Sequence, residues 1–157
     1  ELNLPDLDLL REPVIRVRRS GPLSGTVGVT GAKNSVLKLM AASLLASGRF
    51  TIRNVPRIAD VRWMGELLER MGATVAHDGD VLTIDVPDTI TPEAPYELVE
   101  RMRASIVVLG PLLGRFGEAR VSVPGCDDFG HRPIDMHLKG LEDLGATFTI
   151  SHGLWCG

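Results

Sequence analysis

Between Val123 and His137 the chain reads VPGCDDFGHRPIDMH. A thiol, three carboxylates, two imidazoles and a guanidinium crowd into this stretch. Three chemistries suit those residue types. Asp127, Asp128, His131, Asp135 and His137 are of the kinds that ligate metals, but their spacing matches no standard zinc pattern and Arg132 in their midst would repel a cation. Cys126 with His131 makes a nucleophile–base pair, an aspartate orienting the imidazole, although both would sit on one loop with little to fix their geometry. The third is an anion-handling loop, in which Arg132 grips phosphate and a carboxyl or thiol transfers a proton. The bland alternatives are a polar surface insertion for the stretch as a whole, and a helix cap and a half-buried imidazole for Asp135 and His137.

Two further places favour anions. GTVGVTGAKNS, residues 25–35, reads as a strand running into Gly28 and Gly31 with a helix opening at Lys33. Its glycines fall as G-x-x-G-x-x-G, which is neither the phosphate loop of nucleoside triphosphatases nor the dinucleotide fingerprint. Glycines still allow a backbone to approach a ligand, and a helix start carrying a lysine attracts an anion; a plain tight turn explains the spacing equally well. In RMRAS, residues 101–105, Arg103 stands directly before an apolar run and so lies close to the core. A solvated pair of cations is the alternative for Lys33 and Arg103.

The elements that must position these residues repeat. Gly72-Ala73-Thr74 recurs as Gly145-Ala146-Thr147, 73 residues on; Leu45, Val55 and Pro56 recur as Leu113, Val123 and Pro124, 68 residues on. The second copy therefore carries an insertion after Pro124, inside the reactive stretch, and insertions in repeats map to loops that often bind. By the shorter offset Arg103 falls beside the equivalent of Lys33, so both should lie near the starts of equivalent helices. Units of about 26–86 and 96–150 are expected, joined by the proline-rich connector 87–95. The first reads as an all-round apolar helix at 33–46, a strand at 50–55, a helix at 60–71 and a strand at 81–86. Asp60 is expected to cap the second helix and Gly72 to end it. The second unit reads as a helix at 97–114, which Pro111 should end or kink near residue 110, a strand at 119–123, a helix at 133–144 begun by Pro133 and ended by Gly145, and a strand at 147–150. The fold class is α/β, built from repeated small units.

The 157 residues suit one domain, 44% apolar and 24% charged, with a net charge of −3. That balance argues against a nucleic-acid or membrane-surface binder. The basic run Arg16, Arg18, Arg19 alternates along an expected strand and reads as a solvated face. Two cysteines without a disulfide framework suit a reducing compartment. The N-terminus shows no secretory signal pattern, and SIVVLGPLLG is too short to span a bilayer. A cytoplasmic protein is expected.

Four stretches then carry a resemblance: GPLSGTVGVTGAKNSVLKLMAASLLA, MRASIVVLGPLLGRFGEARVSVPG, RPIDMHLKGLEDLGAT and the His-Gly at 152–153. They closely resemble the UDP-N-acetylglucosamine 1-carboxyvinyltransferases, the enolpyruvyl transferases that begin bacterial peptidoglycan synthesis. The resemblance runs from about Val14 to the last residue and leaves residues 1–13 as an extra segment. It implies the family's inside-out barrel of repeated α/β units, sheets outside and helices inside, incomplete in this chain. It implies addition of the 3-hydroxyl of UDP-N-acetylglucosamine to C2 of phosphoenolpyruvate, protonation at C3 and loss of phosphate, with no metal or organic cofactor. By motif match Lys33 contacts phosphoenolpyruvate and Asn34 the sugar nucleotide. Arg103 and Arg132 hold phosphate and carboxylate, and Pro133, Asp135 and His137 lie beside uracil and ribose.

The family's loop reads Pro-Gly-Gly-Cys or Pro-Gly-Gly-Asp, where this chain has Pro124-Gly125-Cys126-Asp127. A gapless match puts Asp127 on the reactive position and Cys126 where glycine is expected, restricting the backbone. His131 is a second departure. Members of the family are much longer, and the base for the sugar hydroxyl lies in the part with no counterpart here. The strand Val14–Arg18 would belong to the other domain. The resemblance thus implies the N-terminal portion of an enolpyruvyl transferase, completed by a missing second half or a partner chain. A paralogue acting on another nucleotide and a truncated, non-catalytic sugar-nucleotide-binding module remain alternatives.

Overall fold

The computed structural model describes residues 17–19, 21–99, 102–122, 134–151 and 154–156. Among the described residues regular structure begins with helix α1 (Lys33–Ala42), followed by a 3-10 turn, Ser43–Leu45. Val36, Leu37, Met40 and Ala41 are buried along one face. The expectation of burial all round is not met: Lys33, Asn34 and Lys38 face solvent and Leu39 is 54% exposed. The two lysines and the asparagine keep the other face out of the core.

Strand β1 (Gly48–Ile52), helix α2 (Ala59–Met71), strand β2 (Thr74–Asp78) and strand β3 (Val81–Val86) complete the first half. The sheet order is β1-β3-β2, with both pairings antiparallel. In β3 burial alternates, so Leu82, Ile84 and Val86 point into the core. On the other face Arg49 stands opposite Asp85 and grips it through two bonds of 2.7 and 3.1 Å. That hydrogen bond and the charge of Asp85 raise the pKa of Arg49 above its ordinary value. The stripe Val61, Met64, Leu67, Leu68, Met71 is buried, as its spacing requires. The helix ends as expected: Gly72 takes φ 113°, and the N–H groups of Gly72 and Ala73 donate to Glu69 and Leu68. Its start differs. Ala59 opens the helix and Asp60, in the first turn, makes no cap.

The connector leaves β3, pins Thr91 N–H to the Met71 carbonyl at 2.8 Å, and forms the short strand β4 (Glu93–Ala94). Helix α3 (Tyr96–Val99), a 3-10 helix (Arg103–Val108), helix α4 (Leu109–Phe116) and strand β5 (Arg120–Ser122) follow. The single helix expected over 97–114 is thus broken into three. Pro111 does not end it; it sits in the first turn of α4, two residues after the 3-10 helix gives way to α-helix. Helix α5 (Asp135–Asp143) leads to strands β6 (Thr149–Ser151) and β7 (Leu154–Cys156). Gly145, at φ 102°, receives the same kind of helix end as Gly72, with Gly145 and Ala146 N–H bonded to Glu142 and Leu141. The second sheet runs β4-β5-β7-β6. Its β5 and β6 flank β7 in antiparallel pairing, as β1 and β2 flank β3, and β4 adds in parallel.

One apolar core runs through both halves, from Val36 to Leu138. Arg115 of α4 joins them. It donates to the carbonyls of Leu44, Pro87 and Asp88, each at 3.0 Å, and lies 4.8 Å from the centroid of Phe116. The strands expected at Arg16–Arg19 and before Gly28 do not appear among the described residues. Residues 21–32 have no helix or strand, and Leu23, Val27 and Val29 are 85–90% exposed. Among the described residues no helix is long and apolar enough to cross a membrane.

Candidate functional site

The site grows from the start of α1. Gly31 N–H donates to the Asn54 carbonyl at 3.1 Å, and a Cβ on Gly31 would overlap that same oxygen. Only glycine permits this approach. Asn54 itself has φ 59°, a left-handed conformation that asparagine tolerates better than most residues. Val55 N–H is in turn held by the Asp80 carbonyl at 2.8 Å. The turn before α1 is therefore docked on the turn before α2.

Ala32 is extended and gives α1 no side-chain cap. The amides of Lys33 and Asn34 have no acceptor among the described residues, as the first amides of a helix ordinarily lack one. The positive end of α1, two unclaimed N–H groups and the Lys33 ammonium thus coincide, an arrangement that attracts phosphate or carboxylate. Lys33 Nζ lies 2.6 Å from Oδ1 of Asp60, with the side chains 53% and 21% exposed.

Arg103 is the first residue of its 3-10 helix, as Lys33 is of α1, and that helix packs against α1. Met102 before it is extended, and the buried Ser105 returns its hydroxyl to the Met102 carbonyl at 2.6 Å. Asp135 and His137 both lie in α5 and are exposed. Asp135 makes no cap and His137 is not half-buried, so the bland reading of that pair does not hold. No hydrogen bond or ion pair joins either to Lys33 or Asn34. Cys126, Asp127, Asp128, His131, Arg132 and Pro133 lie outside the described residues. Among the described residues no three acidic, histidine or cysteine side chains converge as a metal site requires.

Two of the clefts add shape. One, of about 620 Å³, is lined by Arg57, Ile58, Val61, Arg62, Val75 and His77 and contains none of the residues singled out above. Another, of about 530 Å³, runs along α5 past Asp135, Met136, Lys139 and Phe148. Anion-attracting groups meet at the start of α1, which neither cleft includes. Sequence reasoning missed Asp60 here, reading it as a cap. Its true contact joins two helix starts through tertiary packing, and no local pattern marks that.

The family model for EPSP synthase (3-phosphoshikimate 1-carboxyvinyltransferase) matches residues 17–156. A UDP-N-acetylglucosamine 1-carboxyvinyltransferase of Anaeromyxobacter sp. (strain K) is 57% identical over 135 residues, covering 84% of this chain and 32% of the relative. One from Sorangium cellulosum is 49% identical over 139 residues, 88% of this chain and 33% of the relative. The chain therefore spans about a third of the length of these relatives. The crystal structure of the enolpyruvyl transferase NikO from Streptomyces tendae superposes with a TM-score of 0.71 at 30% identity, over 85% of this chain and 29% of that one. The repeated α/β architecture is shared with that enzyme, here in part and without a closed barrel. A model matched over almost the whole chain, and relatives and a solved fold that agree with it, show that this chain belongs to the EPSP synthase family of enolpyruvyl (carboxyvinyl) transferases.

Proposed function

We propose that the chain is the N-terminal portion of an enolpyruvyl transferase that acts on phosphoenolpyruvate and UDP-N-acetylglucosamine in peptidoglycan precursor synthesis. The observation that supports this is the start of α1, where Lys33, two unclaimed amides and the positive helix end come together. The identity of 49–57% to transferases named for UDP-N-acetylglucosamine favours that acceptor over 3-phosphoshikimate.

In this reading Lys33 binds the phosphate of phosphoenolpyruvate, and Arg103 and Arg132 share its phosphate and carboxylate. Asn34 holds the sugar nucleotide; Pro133, Asp135 and His137 line its uracil and ribose. The 3-hydroxyl oxygen forms a bond to C2 while C3 gains a proton. The tetrahedral adduct then loses that C3 proton and expels phosphate, leaving an enolpyruvyl ether. Asp127 is the loop's proton-transfer group and Cys126 its neighbour. The base that takes the hydroxyl proton belongs to the part of the relatives beyond this chain, so a second half or partner chain completes the enzyme. A second reading, a paralogue for another nucleotide, rests on the departures Cys126 and His131.

Titrating the ¹⁵N-labelled chain with phosphoenolpyruvate and with UDP-N-acetylglucosamine tests the assignment. The amides of Lys33 and Asn34 should shift first and most. Shifts confined to the cleft around His77, or a stronger response to 3-phosphoshikimate than to UDP-N-acetylglucosamine, would contradict it.

A further inference from the structure

We propose that Asp60 is a positioning residue that holds the Lys33 ammonium in place for phosphoenolpyruvate. This rests on the reading of Lys33 as the phosphoenolpyruvate contact. Lysine is the wrong residue for a helix start on stability grounds, because its charge meets the positive end of the helix dipole. At the start of α1 nothing acidic from α1 itself compensates it. Asp60 does so from another helix, at 2.6 Å. The acid is the more buried partner, 21% exposed against 53%. Its charge is in turn favoured by its own place in the first turn of α2, where it caps nothing.

The backbone below is already fixed by the Gly31–Asn54 contact, so what remains loose is the lysine chain, with its large rotamer entropy. One of the three ammonium protons faces Asp60, which leaves two for phosphate oxygens. Asp60 thus sets the direction from which Lys33 meets its ligand, without touching the ligand itself.

The sign of one measurement separates this from simple charge. A carboxylate near an anion site repels the anion, so deleting it should tighten binding if Asp60 acts only by Coulomb's law. Positioning requires the opposite. Calorimetric titration of the 157-residue chain with phosphoenolpyruvate at low salt should show Asp60→Ala binding about 10-fold more weakly, and Asp60→Asn, which keeps an acceptor and the shape of α2, about 3-fold more weakly. Asp60→Glu should recover most of the loss. In a Lys33→Met background the Asp60 substitutions should have no further effect, a coupling that a merely structural role would not produce. Equal or tighter binding by Asp60→Ala and Asp60→Asn, or the same loss with Lys33 absent, overturns the proposal. Unchanged affinity in Lys33→Met overturns the parent reading of Lys33, and this inference with it. Weaker binding in Lys33→Met with none in the Asp60 variants overturns this inference alone.

Discussion

Replacing Arg115 should loosen the two halves of the chain from one another. Its guanidinium donates to three carbonyls on segments that nothing local brings together: the turn after α1, and the first two residues of the connector. The bond to Leu44 is partly buried and the other two are exposed. A charged donor to a carbonyl contributes about 1.5–3 kcal/mol, this partly buried bond about 1.5–2, and exposed bonds much less. Stacking on Phe116 adds about 0.5–1 kcal/mol. Arg115→Met, which keeps the alkyl packing but strands the Leu44 carbonyl, should therefore cost about 2–3 kcal/mol. At 2–4 °C per kcal/mol for a chain of this size, the melting temperature should fall by roughly 4–12 °C. Arg115→Lys keeps the charge but cannot span three carbonyls, and should recover about 1 kcal/mol. Thermal and urea melts followed by circular dichroism, with an unchanged m value, measure this. An Arg115→Met melt within about 1 °C of the parent would refute the reasoning that this side chain couples the halves.

Gly31→Ala should destabilise the chain by about 1–3 kcal/mol and weaken phosphoenolpyruvate binding together, since the added Cβ meets a backbone carbonyl that cannot rotate away; melts and calorimetry on one sample check both. On the proposed reading, which puts the base for the hydroxyl in the part of the relatives beyond these 157 residues, the purified 157-residue chain should release phosphate from phosphoenolpyruvate and UDP-N-acetylglucosamine about 10²–10⁴-fold more slowly than a full-length relative; turnover at the relative's rate would contradict this. Fosfomycin, an epoxide expected to alkylate the loop cysteine of relatives that read Pro-Gly-Gly-Cys, should leave activity intact where Asp127 occupies that place, and mass spectrometry should find no adduct coupled to inactivation.

The elements set by local pattern are legible in the sequence. The stripe Val61, Met64, Leu67, Leu68, Met71 fixed α2 and its inner face, and Gly72 and Gly145 marked helix ends because only a left-handed residue closes them this way. The offset between the repeated motifs placed Lys33 and Arg103 each at the start of a helical segment. What escaped depends on partners distant in sequence. Residues 17–29 carry strand-like alternation, but a strand needs a ladder, and no described residue supplies one. The edge strand β2, Thr74–Asp78, is too polar to announce itself, with only Val75 half-buried. Pro111 does not end its helix because it falls in the first turn of α4, and composition does not reveal its distance from that start. The Lys33–Asp60 pair arises only when two helix starts dock, so neither residue's neighbours foretell it.

The central claim, that this chain supplies the N-terminal portion of an enolpyruvyl transferase with Asp127 as its loop residue, meets its most direct test in a chimera. The matching 135 residues of the Anaeromyxobacter relative would be exchanged for those of this chain, and phosphate release measured with phosphoenolpyruvate and UDP-N-acetylglucosamine. The account predicts release that requires both substrates, survives Cys126→Ala and falls about 10²–10⁴-fold in Asp127→Ala. A folded chimera that releases no phosphate, or one silenced by Cys126→Ala while Asp127→Ala stays active, would contradict it.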